Sequence, residues 1–240
     1  MNIVITMAGL GSRFQKAGYK EPKFKIEVKG KTLFEWSMES LTDFNKQENV
    51  KYIFITRKEC DAKDFIVEKM QKFGIKNVEI VELDAPTDGQ ATSAMLAEPY
   101  WRADEEMVIY NIDTYIESDT MKYSDIKGED GFIPCFNAPG DHWSFVKTDE
   151  NGNAVEVREK ERISDNCTVG LYYFKSCALY KKIYEEYYAD ESHLEKNEKY
   201  IAPLYNYMIE LGLKVGISNL PYETVHVLGT PEEVEVFKNA

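Results

Sequence analysis

NIVITMAGLGSRFQKAGYKEPKFKI, residues 2–26, puts a strand, a glycine-bearing turn, an arginine and a Pro-Lys pair into one short stretch. The run NIVITM is continuously apolar, as a strand buried on both faces is. From Gly9 to Gly18 the composition is that of loop and turn. Small residues let backbone approach a ligand closely, and Gly9-Leu10-Gly11 can present N–H groups to anionic oxygens. Arg13 offers a planar donor fork suited to phosphate, and Lys23 offers a point charge. A dinucleotide fingerprint fits poorly, because its third glycine would fall at Phe14. A P-loop is excluded, since no Gly-Lys-Ser/Thr follows. Taken alone, the same residues also suit a tight turn with Arg13 in solvent.

Working outward, the alternation of periods predicts a strand at 50–57, an amphipathic helix over 60–74 stopped by Gly74, and a strand at 78–83. A short helix over 89–99 ended by Pro99 and a strand at 106–112 follow, with a further helix expected at 32–41. A β-α-β-α-β-α-β order of this kind implies a parallel sheet with helices on both faces. The second half changes character. GFIPCF, HWSFVKT, AVEVREK and TVGLYYFK are strand-like, with Asn151-Gly152 a hairpin turn between two of them. Helices are expected at 176–188 and about 202–211, then KVGIS, ETVHVL and a helix that begins at Pro231. Ligands of open α/β sheets bind beyond the C-terminal ends of the strands. The Gly9–Arg13 loop, the Asp84–Gly89 loop and Asp113 are each expected at that rim.

Bulk properties narrow the class. A chain of 240 residues can bury one substantial core. Its formal net charge of −13 argues against a nucleic-acid binder, which needs a basic footprint. Cys60, Cys135, Cys167 and Cys177 show no metal-type spacing and read as reduced and intracellular, so the expected location is the cytoplasm. NIVITMAGLGS has neither the charged region nor the long apolar region of a secretory signal, and no apolar run reaches transmembrane length. Repeats and low-complexity linkers are absent, which predicts a single domain over 1–240. About 1–115 would form the nucleotide-binding half and about 116–240 the acceptor-binding half.

Gly-x-Gly-Ser-Arg after the first strand, with Pro-Lys some ten residues on, resembles the signature of the nucleotidyltransferase (NDP-sugar pyrophosphorylase) family. Its usual form is Ala-Ala-Gly-x-Gly-Thr-Arg, then Pro-Lys, then a Gly-Lys turn. Ala8-Gly9-Leu10-Gly11-Ser12-Arg13, Pro22-Lys23 and Gly30-Lys31 match in order and spacing. Asp113 after an apolar strand is similar to the family's magnesium-binding aspartate. Glu159-Lys160, TVGLYYF (168–174) and GTPEEV (229–234) resemble three further motifs. The resemblance implies an α/β fold with a Rossmann-like (GT-A-type) mixed sheet, parallel first and with antiparallel additions later. It implies a reaction in which a phosphorylated acceptor attacks the α-phosphorus of a nucleoside triphosphate and pyrophosphate leaves. Ala8, Gly9, Gly11 and Ser12 would admit the nucleotide, Arg13 would serve the pyrophosphate, and Lys23 would bridge acceptor phosphate and α-phosphate. Asp113 would hold Mg²⁺, the expected cofactor, and Glu159, Lys160 and Gly170 would contact the acceptor. Lys25 is a nearby cation better explained as a solvated strand residue. One departure is Val227, which stands where the family commonly carries a second metal-binding aspartate. His226 is adjacent but need not face the site.

Base and acceptor are read less directly. Relatives that use thymidine or uridine triphosphate commonly place glutamine at the position of Asp84. An ionised carboxylate only accepts hydrogen bonds, which suits the exocyclic amine of cytosine. Asp84, or Asp88 beside Gly89, is therefore the expected base reader, and CTP the favoured triphosphate. The chain's length is that of the compact cytidylyltransferases of surface-polysaccharide pathways. The acceptor would be a sugar 1-phosphate or a phosphorylated small alcohol, amine or amide. A quaternary amine would call for an aromatic cage from Trp101, Trp143, Tyr172 or Tyr173. Two other functions stay open: a glycosyltransferase using a finished nucleotide sugar, and an inactive nucleotide sensor. No membrane partner is expected, and the oligomeric state is not readable.

Overall fold

The computed structural model describes residues 1–126 and 128–240. Its first strand, β1 (Asn2–Thr6), is followed by a short helix α1 (Ser12–Lys16) and a small hairpin, β2 (Glu27–Val28) and β3 (Lys31–Thr32). Then come α2 (Leu33–Glu39), β4 (Lys51–Arg57), α3 (Lys63–Lys72), β5 (Val78–Leu83), α4 (Gln90–Met95), β6 (Met107–Asn111) and β7 (Thr114–Ile116). The second half holds β8 (Gly131–Phe136), β9 (Ser144–Thr148), β10 (Ala154–Glu159), β11 (Cys167–Thr168), β12 (Leu171–Phe174) and α5 (Cys177–Tyr187). It ends with α6 (Leu204–Glu210), β13 (Val215–Leu220), β14 (Val225–Val227) and α7 (Pro231–Asn239).

The early strands pair in parallel in the order β6-β1-β4-β5. Chain order therefore reverses between β1 and β6, and a crevice opens beyond their C-terminal ends. On the other side of β6 the sheet continues antiparallel through β12 and β8 to β11, β9 and β10. β13 takes the free edge of β8 and runs parallel to it along all six residues. This is a mixed sheet of ten strands, parallel early and largely antiparallel later.

Strand periodicity divides the core. Ile3, Ile5, Tyr52, Phe54, Val108 and Tyr110 pack on one face, with Val4, Ile53, Ile55, Met107 and Ile109 on the other. The central strands are buried on both faces, as their continuous apolar runs require. Helix α2 starts in a full capping box: Thr32 accepts the Glu35 N–H, and Glu35 reaches back to the Thr32 N–H at 2.9 Å.

Three local differences from the sequence reading have physical causes. The stretch after β1 is not all loop, because Phe14 is drawn into a third cluster with Leu33, Leu228, Val234 and Phe237 and winds α1 around itself. The segment 223–228 does not join the main sheet; β14 pairs antiparallel with β7 in a separate two-stranded ladder. The helix over 89–99 stops at Met95 and gives way to a 3₁₀ turn at Glu98–Tyr100 around Pro99. All four cysteines are free and buried. Among the described residues no helix is long and apolar enough to cross a membrane.

Candidate functional site

The crevice at the strand reversal is divided into two connected chambers. The larger, about 590 Å³, runs along the Met7–Ser12 loop and the Pro22–Phe24 segment to Pro86, Thr87 and Gly89. The smaller, about 230 Å³, lies against the late strands and is lined by Trp143, Ser144, Glu159, Gly170 and Tyr172. Gln90, Asn111 and Asp113 line both and form the shared wall.

The sequence-derived residues sort cleanly between them. Ala8, Gly9, Gly11, Ser12, Lys23 and Gly89 line the larger chamber, Arg13, Glu159 and Gly170 the smaller, and Asp113 both. Gly11 has φ +63°, the left-handed region in which the turn from β1 into α1 needs a glycine. A Cβ on Gly9 or Gly11 would meet nothing within 4 Å, so the backbone there faces open space. Arg13 is exposed and lines the smaller chamber, not the larger one that the glycine loop borders. Lys23 Nζ donates to Asp113 Oδ2 at 2.8 Å. Lys25 is otherwise employed: its Nζ donates to the carbonyls of Cys60 and Asp61.

Three expected residues are not brought onto the walls. Asp84 is exposed beyond the rim and takes an ion pair from Lys58 at 2.6 Å. Asp88 turns its carboxylate to Lys199 Nζ at 3.0 Å, while its carbonyl accepts the Lys199 N–H at 2.8 Å. The work of Asp88 is to staple the loop after β5 to the segment 198–200. Gly89 is tight for the same reason: at φ +145°, a Cβ there would lie 2.3 Å from the Lys199 carbonyl oxygen. Lys160 lies one layer back. Its Nζ donates to the Tyr200 hydroxyl at 3.1 Å and lies 3.2 Å from Glu159 Oε1. Burial works against its charged form, but Tyr200 and Glu159 together hold its pKa above the ordinary lysine value.

The shared wall was missed in the sequence. Gln90 Nε2 donates to Thr6 Oγ1 at 2.9 Å and to the Asn111 side-chain oxygen, linking the ends of β1, α4 and β6. The Asn111 N–H donates to the Gly170 carbonyl at 3.1 Å, and a Cβ on Gly170 would stand 2.6 Å from Asn111 Nδ2. The signal was a polar residue inside an apolar strand run, two positions before the aspartate. In the smaller chamber, Ser144 donates to Glu159 Oε2. Burial, with the Glu159 charge beside it, pushes the Tyr172 hydroxyl up to about 12, so it stays protonated and able to donate. Of the four aromatics considered for a cage, Trp143 and Tyr172 line the chamber. Trp101 packs against Tyr180, and the Tyr173 hydroxyl donates to Glu106.

Val227 faces the smaller chamber, while His226 turns away to stack on Tyr115 and pair with Glu117 at 3.3 Å. Among the described residues no group of three or more His, Cys, Asp or Glu side chains converges as a metal cage.

No family model and no curated protein sequence matches the chain. Solved structures do. The crystal structure of the nucleoside-diphosphate-sugar pyrophosphorylase from Vibrio cholerae RC9 is 36% identical, with TM-score 0.90 over 99% of this chain and 100% of that one. The inositol-1-phosphate CTP transferase from T. maritima shares the fold at TM-score 0.77 and 16% identity, over 97% of this chain and 90% of that one. A candidate glucose-1-phosphate thymidylyltransferase from Bacillus anthracis, solved with sucrose, does so at 0.78 and 17%, over 100% and 94%.

Proposed function

The chain belongs to the nucleotidyltransferase family of NDP-sugar pyrophosphorylases, and from that premise we propose that it couples a nucleoside triphosphate to a phosphorylated small molecule and releases pyrophosphate. The observation that carries this reading is the pairing of Lys23 with Asp113 on the boundary of two chambers of unequal size. A cation and a carboxylate at one junction suit a reaction in which two phosphates must meet.

An oxygen of the acceptor phosphate forms a bond to the α-phosphorus, and the bond from that phosphorus to the pyrophosphate oxygen breaks. The attacking phosphate is mostly dianionic at neutral pH, because its second pKa is about 6, so no general base is required. Catalysis then consists of holding two anions in line and neutralising the charge they share. Lys23 bridges acceptor phosphate and α-phosphate after leaving Asp113. Arg13 attends the phosphates from the rim, and the Gly9–Ser12 backbone bounds the nucleotide. Gly89 and Thr87 bound the other side of the larger chamber. Glu159 and Gly170 receive the acceptor, with Lys160 setting the position of Glu159.

The oxygen donors at Asp113 fit Mg²⁺, which takes one or two carboxylates and completes its shell with water and phosphate. Bound there, it would neutralise charge on the phosphate oxygens. CTP is the triphosphate we favour. The larger chamber is lined by Glu198 and by Glu59, which pairs with Arg57, and a carboxylate there can accept from an exocyclic amine, whereas Asp84 lies outside the walls on Lys58. The acceptor is a sugar 1-phosphate or a phosphorylated small alcohol, amine or amide, with Trp143, Tyr172 and Glu159 supporting a compact polar group. The product would serve surface polysaccharide or its decoration, in the cytoplasm.

The test is pyrophosphate release from each of four nucleoside triphosphates against a panel of such acceptors. Release that needs both partners and is fastest with CTP supports the reading. Release with no acceptor dependence, or none at all from folded protein, overturns it.

A further inference from the structure

Helix α7 begins Thr230-Pro231-Glu232-Glu233, a sequence that asks for the same capping box as Thr32 and Glu35 in α2. Half of it forms: the Glu233 N–H donates to Thr230 Oγ1 at 3.2 Å. The reciprocal bond from the carboxylate to the Thr230 N–H, made by Glu35 in α2, is not made by Glu233 among the described residues. Glu233 instead lines the smaller chamber, and its Oε2 is buried with no hydrogen-bond partner. A buried carboxylate oxygen left without a donor is costly unless something arrives to satisfy it.

The geometry of Gly229 says where that something would sit. A Cβ on Gly229 would lie 3.4 Å from Glu233 Oε2 and 3.6 Å from Asp113 Oδ2. The two carboxylates thus face one small space that the absence of a side chain keeps clear. The segment is locked in place, because the Leu228 N–H donates to the Asp113 carbonyl at 2.8 Å. Two carboxylates sharing such a space repel each other, and Lys23 relieves only Asp113. A hard divalent cation satisfies both, and oxygen donors suit Mg²⁺ or Mn²⁺.

We propose that Glu233, together with Asp113, holds the divalent metal that enters with the nucleotide. Glu233 thereby supplies the second carboxylate that Val227 cannot. The inference rests on the nucleotidyltransferase reading above. It makes the half-formed cap of α7 the reason the fold tolerates valine at 227.

The experiment measures nucleotide affinity by calorimetry twice, with Mg²⁺ and in EDTA, for wild type and Glu233→Gln. The ratio of the two affinities is the metal–nucleotide coupling, which linkage makes independent of turnover. Glu233→Gln is expected to lower that ratio roughly tenfold or more, the scale of losing a group that holds a metal, while the EDTA affinity stays the same or rises. Adding Val227→Asp to that variant should restore the ratio, which a purely structural role for Glu233 would not allow. An unchanged ratio in Glu233→Gln overturns the inference and leaves the function standing. A wild type whose nucleotide affinity is indifferent to Mg²⁺ overturns the inference too, and one that binds no triphosphate overturns both. If Glu233→Gln does not fold, Gly229→Ala decides. Its methyl makes only ordinary contacts yet fills the shared space, so a lowered ratio supports the inference and an unchanged one overturns it.

Discussion

Lys23 Nζ rests 2.8 Å from Asp113 Oδ2, joining side chains 90 positions apart in the chain. Each neutralises the other on the wall between the chambers, so a phosphate arriving there competes with Asp113 for Lys23. Lys23→Ala removes a partly exposed loop cation and should leave the fold intact. Its turnover should fall on the order of 10²–10³-fold, as when one charge-stabilising donor is lost. The same variant frees Asp113, so protein without nucleotide should bind Mn²⁺ more tightly than wild type does. Steady-state kinetics and metal titration together check it. Near-normal turnover in a soluble variant would remove Lys23 from the mechanism.

Asp84 is paired with Lys58 outside the chamber walls. Asp84→Gln is therefore expected to leave the ranking of the four triphosphates unchanged, and Glu198→Gln or Glu59→Gln to alter it. Relative kcat/KM for CTP, UTP and dTTP is the measurement. A switch toward UTP or dTTP in Asp84→Gln would show that the loop after β5 swings inward when a base binds.

Gly170 is held at φ +80° with Asn111 Nδ2 where a Cβ would go. Alanine there combines left-handed strain of about 1–2 kcal/mol with displacement of Asn111 from Gln90. The melting midpoint should drop by roughly 2–8 °C for a domain of this size. KM for the acceptor should rise more than KM for the nucleotide, because the added methyl stands on Gly170, which lines the smaller chamber alone. Equal effects on both would place the Gly170 contact outside acceptor binding.

Burial alone would raise the Asp88 carboxyl, but hydrogen bonds from Thr92 and Lys199, with the Lys199 charge, bring it below the ordinary value. A lowered folded-state pKa stabilises above the unfolded value of about 3.9 and loses that contribution as pH falls through the folded one. Asp88→Asn should thus be less stable than wild type at neutral pH, and the gap should close below about pH 4. Urea midpoints at about pH 7 and about pH 3.5 test the sign. A gap that persists in acid would assign the loss to packing.

The parallel half of the fold was legible because β1, β4 and β6 are buried on both faces and read as continuous apolar runs, while β5, half-exposed at the sheet edge, still alternates as a strand does. The chamber-lining residues Gly9, Gly11 and Lys23 were legible because glycine and cation types stand there at the spacing of the family signature. The shared wall was not. Gln90 and Asn111 act by meeting each other, and nothing in either local sequence announces a partner 21 positions away. Asp84 misled because its residue type was right for a base reader, while its direction depends on Lys58 across the neighbouring strand. Glu233 was read as part of the GTPEEV motif and of a helix start and given no role of its own, since a cap that forms by half looks the same in sequence as one that forms whole.

The ladder between β7 and β14 gives the site a time of birth. His226 meets Glu117 across 109 positions, and the residues from Val225 onward reach the ribosome's exit after both chambers' other walls. A domain folds as a unit, and this one is not whole until its last helix has emerged. Until then Phe14 and Leu33 lack Val234 and Phe237, the partners that close their cluster. Translation that halts before α7 leaves that cluster open and the smaller chamber without the wall that Glu233 supplies.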